Sequence, residues 1–293
     1  LLVEAIEDEF VPVAIFNNRD GADRRVLERF GEPAWNNPVV RFTNAAGEDW
    51  LPRRDRIWQP SEIARRMTSA LGAAGRPVPE YLIALAAELG PGRIERATLA
   101  MACYWEGEAC LGGLPGLLST RAAWLEGREV VEVRFDATRL DYRSLLERAR
   151  ALGCADGVFA LDERQLALAR GVSGKQARLA QGSTRPASEA NQKYHLKRHR
   201  TLRAQLDEID PTPAQSARLN HLVWKSGDPL TVLSPRQRAR LDGHARPSQQ
   251  SSRVATGASA ATASRRRAAT PSAVAVAMKA DSLTRRVMSP STR

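Results

Sequence analysis

Two spacings of apolar residues alternate along this chain, and each change of spacing marks the edge of an element. Leu1 to Phe10 repeats at helical spacing and leads into Val11 to Phe16, whose β-branched apolar run predicts a buried strand closed by Asn17, Asn18, Asp20 and Gly21. Asp23 to Phe30 then reads as a short helix and Pro38 to Phe42 as a second strand. Asn44 to Gly47 reads as a hairpin turn into Glu48 to Leu51. A helix over Pro60 to Leu71 follows, with Ser61 as the cap candidate and Ile63, Met67, Ala70 and Leu71 on one face. Glu80 to Leu89 predicts another helix, stopped by Gly90, Pro91 and Gly92 at a domain boundary.

Beyond that stop the pattern begins again. Strands are expected at Arg96 to Ala102, Leu117 to Leu125, Glu129 to Asp136 and Gly157 to Leu161, and helices at Trp105 to Leu111, Tyr142 to Leu152 and Arg164 to Arg170. Val172 to Ala190 is rich in Gln, Gly, Ser and Lys and reads as a loose connection. Helices over Asn191 to Ile209, Pro213 to Trp224 and Ser234 to Leu241 complete the patterned chain. Past Asp242 the composition collapses to Ala, Ser, Thr and Arg, too poor in large apolar side chains to offset the entropy of ordering, so a disordered tail is expected.

Charge refines this picture. The formal charge of +11 suggests an anionic partner until its distribution is considered. Nine basic residues and one acid, Asp281, lie beyond Asp242; subtracting that +8 from +11 leaves +3 for residues 1–242. The patterned part is close to neutral, and Lys193 to Arg203 lacks the interleaved aromatics of a stacking surface, so no specific nucleic-acid partner is expected. Three cysteines cannot all pair, which fits a reducing, cytoplasmic setting, and no apolar run approaches the roughly 20 residues that cross a bilayer. His195 and His199 share a helical face, but the surrounding Lys193, Lys197, Arg198 and Arg200 repel a cation, so no metal site is expected.

Reactive chemistry concentrates at Cys103, where a strand is expected to give way to a helix. A thiol there faces unpaired N–H groups and the positive end of the helix dipole, which favours thiolate. Tyr104 and Trp105 can wall a pocket for a methylthio group; the alternative is a core cysteine beside two core aromatics. Glu106 and Glu108 lie within about a turn or so and either supply a proton or sit on a solvated helix face. Cys110 follows by two helical turns, too far for a bond to Cys103 within a regular helix. Cys154, after the next helix, is the better resolving candidate, with a simple buried residue as the alternative.

Two resemblances add to this reading. The helix, strand, helix, strand, hairpin, helix order of the first part is similar to the back half of a thioredoxin fold, and Asn36 to Phe42 sits where that family has its cis-proline strand. The resemblance implies that Pro38 presents backbone to substrate, the alternative being an ordinary strand-start proline, and it places the family's redox motif before Leu1. Cys103-Tyr104-Trp105 resembles the Cys-Phe-Trp signature of the A-type peptide methionine sulfoxide reductases. Leu114 to Thr120, Glu129 to Asp136, Asp141 to Leu146 and Asp162 to Gln165 follow in that family's order. The whole string, including Asn191 to Tyr194 and Leu233 to Arg238, is similar to bacterial thioredoxin-like proteins, some of them selenoproteins, that carry such a domain behind the thioredoxin half.

The implied fold class is α/β (α+β). A partial thioredoxin-like fold over 1–90 precedes a reductase-like two-layer α/β sandwich over 93–171, a helical extension over 172–242 and a disordered basic tail over 243–293. The implied activity is that of a peptide-methionine (S)-S-oxide reductase, with Cys103 attacking a sulfoxide or disulfide, Tyr104 and Trp105 binding the methyl group, and no bound cofactor. Electrons would come from a thioredoxin-type dithiol. The sequence departs from the family at Ala102, Tyr104 and Glu106, and in two shortened segments, between Trp124 and Glu129 and between Gly153 and Val158, where the family carries acids and tyrosines. The alternative is a catalytically eroded scaffold or interaction protein with a basic tail.

Overall fold

The computed structural model describes residues 1–32, 38–90 and 92–244 and the strand Ala275–Met278. The chain divides between Arg76 and Pro77 into two compact units. Both mix helices with a sheet, as the α+β expectation requires.

The first unit runs α1 (Leu2–Glu9), β1 (Val11–Ala14), α2 (Ala22–Arg29), β2 (Val39–Thr43), β3 (Arg54–Asp55) and α3 (Pro60–Ala73). Phe10 and Phe42 meet edge to face at 5.3 Å, and Met67, Ala70 and Leu71 of α3 are fully buried. The expected helix face of α3 is therefore largely the core face, although Ile63 is only half-buried and Ala64 takes its place. Gln59 is the N-cap and Pro60 the first helical residue, so Ser61 does not cap; proline's fixed φ suits the first turn, where its missing N–H costs nothing. β1 is exposed along its length instead of buried. Its neighbour is the strand Ala275–Met278, which pairs parallel to β1 and antiparallel to β2, so that β1 and β2 are not adjacent. The rest of the tail expected to be disordered lies outside the described residues, as does Asn37, and with it the bond on which the cis-proline reading of Pro38 depends.

The second unit opens with α4 (Glu80–Leu89), β4 (Ile94–Ala100), α5 (Tyr104–Leu111), β5 (Leu117–Leu125) and β6 (Arg128–Asp136). It continues with α6 (Tyr142–Ala151), β7 (Gly157–Ala160), α7 (Glu163–Ser173), β8 (Ala177–Leu179) and β9 (Arg185–Pro186). It closes with α8 (Tyr194–Arg198), α9 (Leu206–Ile209), α10 (Pro213–Trp224) and α11 (Pro235–His244). Six strands form one sheet in the order β8-β7-β4-β6-β5-β9. Leu99, Val131, Val133, Phe135, Leu145 and Leu146 fill the layer between that sheet and its helices. Asp141 and Asp162 cap α6 and α7 by accepting the amides of Ser144 and Gln165, so the polar residue just ahead of each apolar run sets the helix start.

Two stretches differ from the sequence reading. Residues 177–186, expected as a loose connection, supply the edge strands β8 and β9. The single helix expected over Asn191 to Ile209 starts late, because Lys193 adopts a left-handed φ of 50°, and is interrupted after α8, where His199 turns to extended backbone. That turn delivers both its amide and its ammonium to Glu108, as described below. Among the described residues no helix is long and apolar enough to cross a membrane.

Candidate functional site

The site forms where β4 ends and α5 begins. Cys103 is the N-cap of α5, with extended φ and ψ of −146° and 120°, and its side chain is partly exposed. The first free amide of the helix, that of Tyr104, donates at 2.7 Å to Oε2 of Glu129. A carboxylate thus occupies the positive end of the helix immediately beside the thiol, a favourable place for negative charge. Glu129 is delivered there by sheet register: Ala100 pairs with Val130, and Met101 N–H donates to the Glu129 carbonyl at 2.9 Å. The bend is tight: a Cβ on Gly107 would meet the Met101 sulfur at 2.6 Å, so a larger residue there would have to displace the Met101 side chain.

An aromatic wall lines the same end. Tyr104 is buried and meets Trp105 and Trp124 edge to face at 6.1 and 5.7 Å. Burial first, and then the electrostatic influence of the neighbouring Glu129 and Cys103 side chains, push the Tyr104 hydroxyl above its ordinary value. Trp105 stacks on Tyr194 at 3.9 Å and 13°, and its indole N–H donates to Asn191 Oδ1 at 3.2 Å. Arg198 covers the Tyr194 ring in turn. Leu125 to Arg128, the shortened segment, is a hairpin with Glu126 and Gly127 at positive φ, and it places Trp124 against Tyr104.

The segment Asn191 to Tyr194 is locked down from beneath. Glu108 is completely buried; its carboxylate accepts the Lys193 ammonium and amide, each at 2.7 Å, and the Thr120 hydroxyl at 3.0 Å. Neither sequence reading of Glu108, proton donor or solvated face, describes this buried ion pair. Glu106 is exposed on the opposite side of the turn. His195 does not converge with His199: its ring tilts against Trp224, whereas His199 Nδ1 accepts the Leu202 amide at 3.2 Å.

The structure brings Cys103, Tyr104 and Trp105 together and adds Glu129, Trp124 and Tyr194, which the sequence reading left out. Cys154 stands elsewhere. Its thiol donates to the Ala149 carbonyl at 3.5 Å and lies within interaction range of Cys110. The interaction of the two sulfurs holds the Cys110 thiol below its ordinary value and, with burial, pushes Cys154 well above it. Seven residues of helix separate Cys110 from Cys103, a rise of about 10 Å. Pro38 lies in the first unit, just ahead of β2, where its carbonyl accepts the Arg56 amide at 2.9 Å.

No protein-family model matches the chain. A peptide methionine sulfoxide reductase MsrA of Nitrobacter winogradskyi is similar to it, 39% identical over 66 aligned positions that cover 18% of this chain and 37% of the relative.

Proposed function

We propose that the chain is a thiol oxidoreductase that reduces methionine sulfoxide at Cys103, drawing electrons from a thioredoxin-type dithiol. The observation that carries this reading is a partly exposed thiol capping α5, with a carboxylate bound to the next amide and an aromatic wall alongside. The partial similarity to MsrA of Nitrobacter winogradskyi supports it. The Cys103 thiolate attacks the sulfoxide sulfur while a proton passes to the sulfoxide oxygen, and Glu129 is the carboxyl placed to relay it. Oxygen ends on the cysteine as a sulfenic acid and the substrate leaves as the thioether, so one sulfur loses two electrons and the other gains them. Two thiols of the reductant then return the sulfenic acid to thiol, releasing water and their own disulfide.

Tyr104, Trp105, Trp124 and Tyr194 offer ring edges and faces to a methylthio group, which sulfur favours. The order α1-β1-α2-β2-β3-α3 supports a thioredoxin-like reading of the first unit.

The test is turnover of a peptide methionine sulfoxide with dithiothreitol, followed as methionine formed, in the full chain and in Cys103→Ser. Turnover by the wild type that vanishes in the variant, with a sulfenic acid trapped on Cys103, supports the reading. No turnover by the wild type, together with alkylation of Cys103 as slow as that of the buried Cys110, overturns it in favour of a non-catalytic scaffold.

A further inference from the structure

The face of the six-stranded sheet away from α5, α6 and α7 carries a groove of about 700 Å³ that the chemistry at Cys103 does not use. Strand register arranges its floor in rows. Arg96 of β4 lies opposite Arg134 of β6, which lies opposite Ser119 of β5. In the next row Thr98 lies opposite Glu132, and Glu132 opposite Arg121. A third row, Ala100, Val130 and Ala123, is apolar and closed off with Leu125 and Phe159. The loop ahead of β9 forms a wall and contributes Ser183 and Thr184.

Placing two arginines directly opposite on neighbouring strands is unfavourable unless something neutralises them. The carboxylates lining the groove do not. Glu132 is already engaged, accepting the Thr184 hydroxyl at 2.8 Å on one oxygen and Arg121 Nε at 2.6 Å on the other. Glu189, at the rim, is paired with Lys197. Among the described residues neither the Arg96 nor the Arg134 guanidinium is held by a hydrogen bond or ion pair, and both side chains are exposed. The groove therefore presents two guanidiniums with no hydrogen-bonded partner, Arg134 feeling only the longer-range attraction of Glu88, over a floor of hydroxyls in a volume suited to a small molecule.

We propose that this groove binds a phosphorylated small molecule, with Arg96 and Arg134 gripping the phosphate oxygens and Ser119, Ser183 and Thr184 completing the shell. Arginine's planar fork matches phosphate in paired hydrogen bonds, and two forks on adjacent strands favour a dianion over a single carboxylate. Among the described residues no aromatic ring lines the groove, so recognition rests on the phosphate and not on stacking of a base.

The experiment is calorimetric titration of the full chain with inorganic phosphate, pyrophosphate and glycerol 3-phosphate, the arms separating free from esterified phosphate. Saturable binding of at least one probe is expected, weakened tenfold or more in Arg96→Gln and in Arg134→Gln. Arg121→Gln, whose guanidinium is already engaged by Glu132, should weaken it less than threefold. A purely structural role is separated by heating: without ligand Arg96→Gln should melt no lower than wild type, because its repulsion with Arg134 is relieved, yet lose the ligand-induced rise. Equal binding by wild type and the Arg96→Gln, Arg134→Gln double variant overturns the proposal, because the remaining basic residues then account for it. Absence of saturable binding by every probe overturns it as well.

Discussion

Lys193 reaches Glu108 with its ammonium at 2.7 Å while that carboxylate is wholly buried, and one residue further along the chain Tyr194 lies flat on Trp105. The pair thus sets one wall of the candidate site from below. Removing one partner leaves an unpaired buried charge, which costs about 3–5 kcal/mol. Lys193→Met is expected to lower stability to chemical denaturation by about that much and to shift tryptophan emission as the Trp105 stack loosens. Adding Glu108→Gln to Lys193→Met should recover part of the loss, and no recovery would show that the buried charge is not the cause.

Glu129 and Glu106 are separated by the same geometry. Only Glu129 bonds the first amide of α5, whereas Glu106 faces solvent. If Glu129 relays the proton, Glu129→Gln should reduce sulfoxide turnover about 10²- to 10⁴-fold, with alkylation of Cys103 still fast. Glu106→Gln should leave turnover within about twofold of wild type, as substitution of a solvated surface residue does. A reversal of these two effects would return the acid role to Glu106.

What the sequence made legible were features of local origin. Alternation across Glu129 to Asp136, the helical spacing of Tyr142 to Leu152 and the strand-to-helix change at Cys103 all lie within a few residues of the structure they specify. Glu129 was hidden for the opposite reason. It reads as an ordinary strand residue, and only the non-local pairing of β6 with β4 carries it to the start of α5. Lys193 was missed on similar grounds: helical periodicity runs through it, but the buried Glu108 some 85 residues away holds it at positive φ against that local preference. β8 and β9 are three and two residues long, too short for an alternation to register, and exist because Val158 and Ala123 offer them partners.

Oxidation should report the cysteine geometry directly. Cys110 and Cys154 interact as neighbours, while about 10 Å of helix separates Cys110 from Cys103. Mild oxidation followed by proteolysis and mass spectrometry is expected to give a Cys110 to Cys154 linked peptide ahead of any Cys103 to Cys154 peptide. Finding the latter first would restore Cys154 as the resolving residue and require α5 to move during turnover.

Asp136 supplies a pH-dependent tie at the entry to β4. Its carboxylate accepts the Thr138 hydroxyl at 2.6 Å and amide at 3.0 Å, and the amides of Gly92 and Arg93 at 3.2 and 3.4 Å. Burial acts to raise its pKa, but these hydrogen bonds to the ionised form outweigh burial and hold it below the ordinary carboxylate range. The sign follows: the unfolded chain binds the proton more readily than the folded one, so the contribution is complete above the unfolded value of about 3.9 and is lost as pH falls through the lower folded value. Asp136→Asn is therefore expected to cost about 1–3 kcal/mol at pH 7, read from urea denaturation midpoints. At pH 3 the gap between variant and wild type should narrow, because the unfolded wild-type chain then takes up the proton that the folded carboxylate resists. A gap of constant size across that range would mean that shape and not charge makes Asp136 hold the Gly92 and Arg93 amides in place.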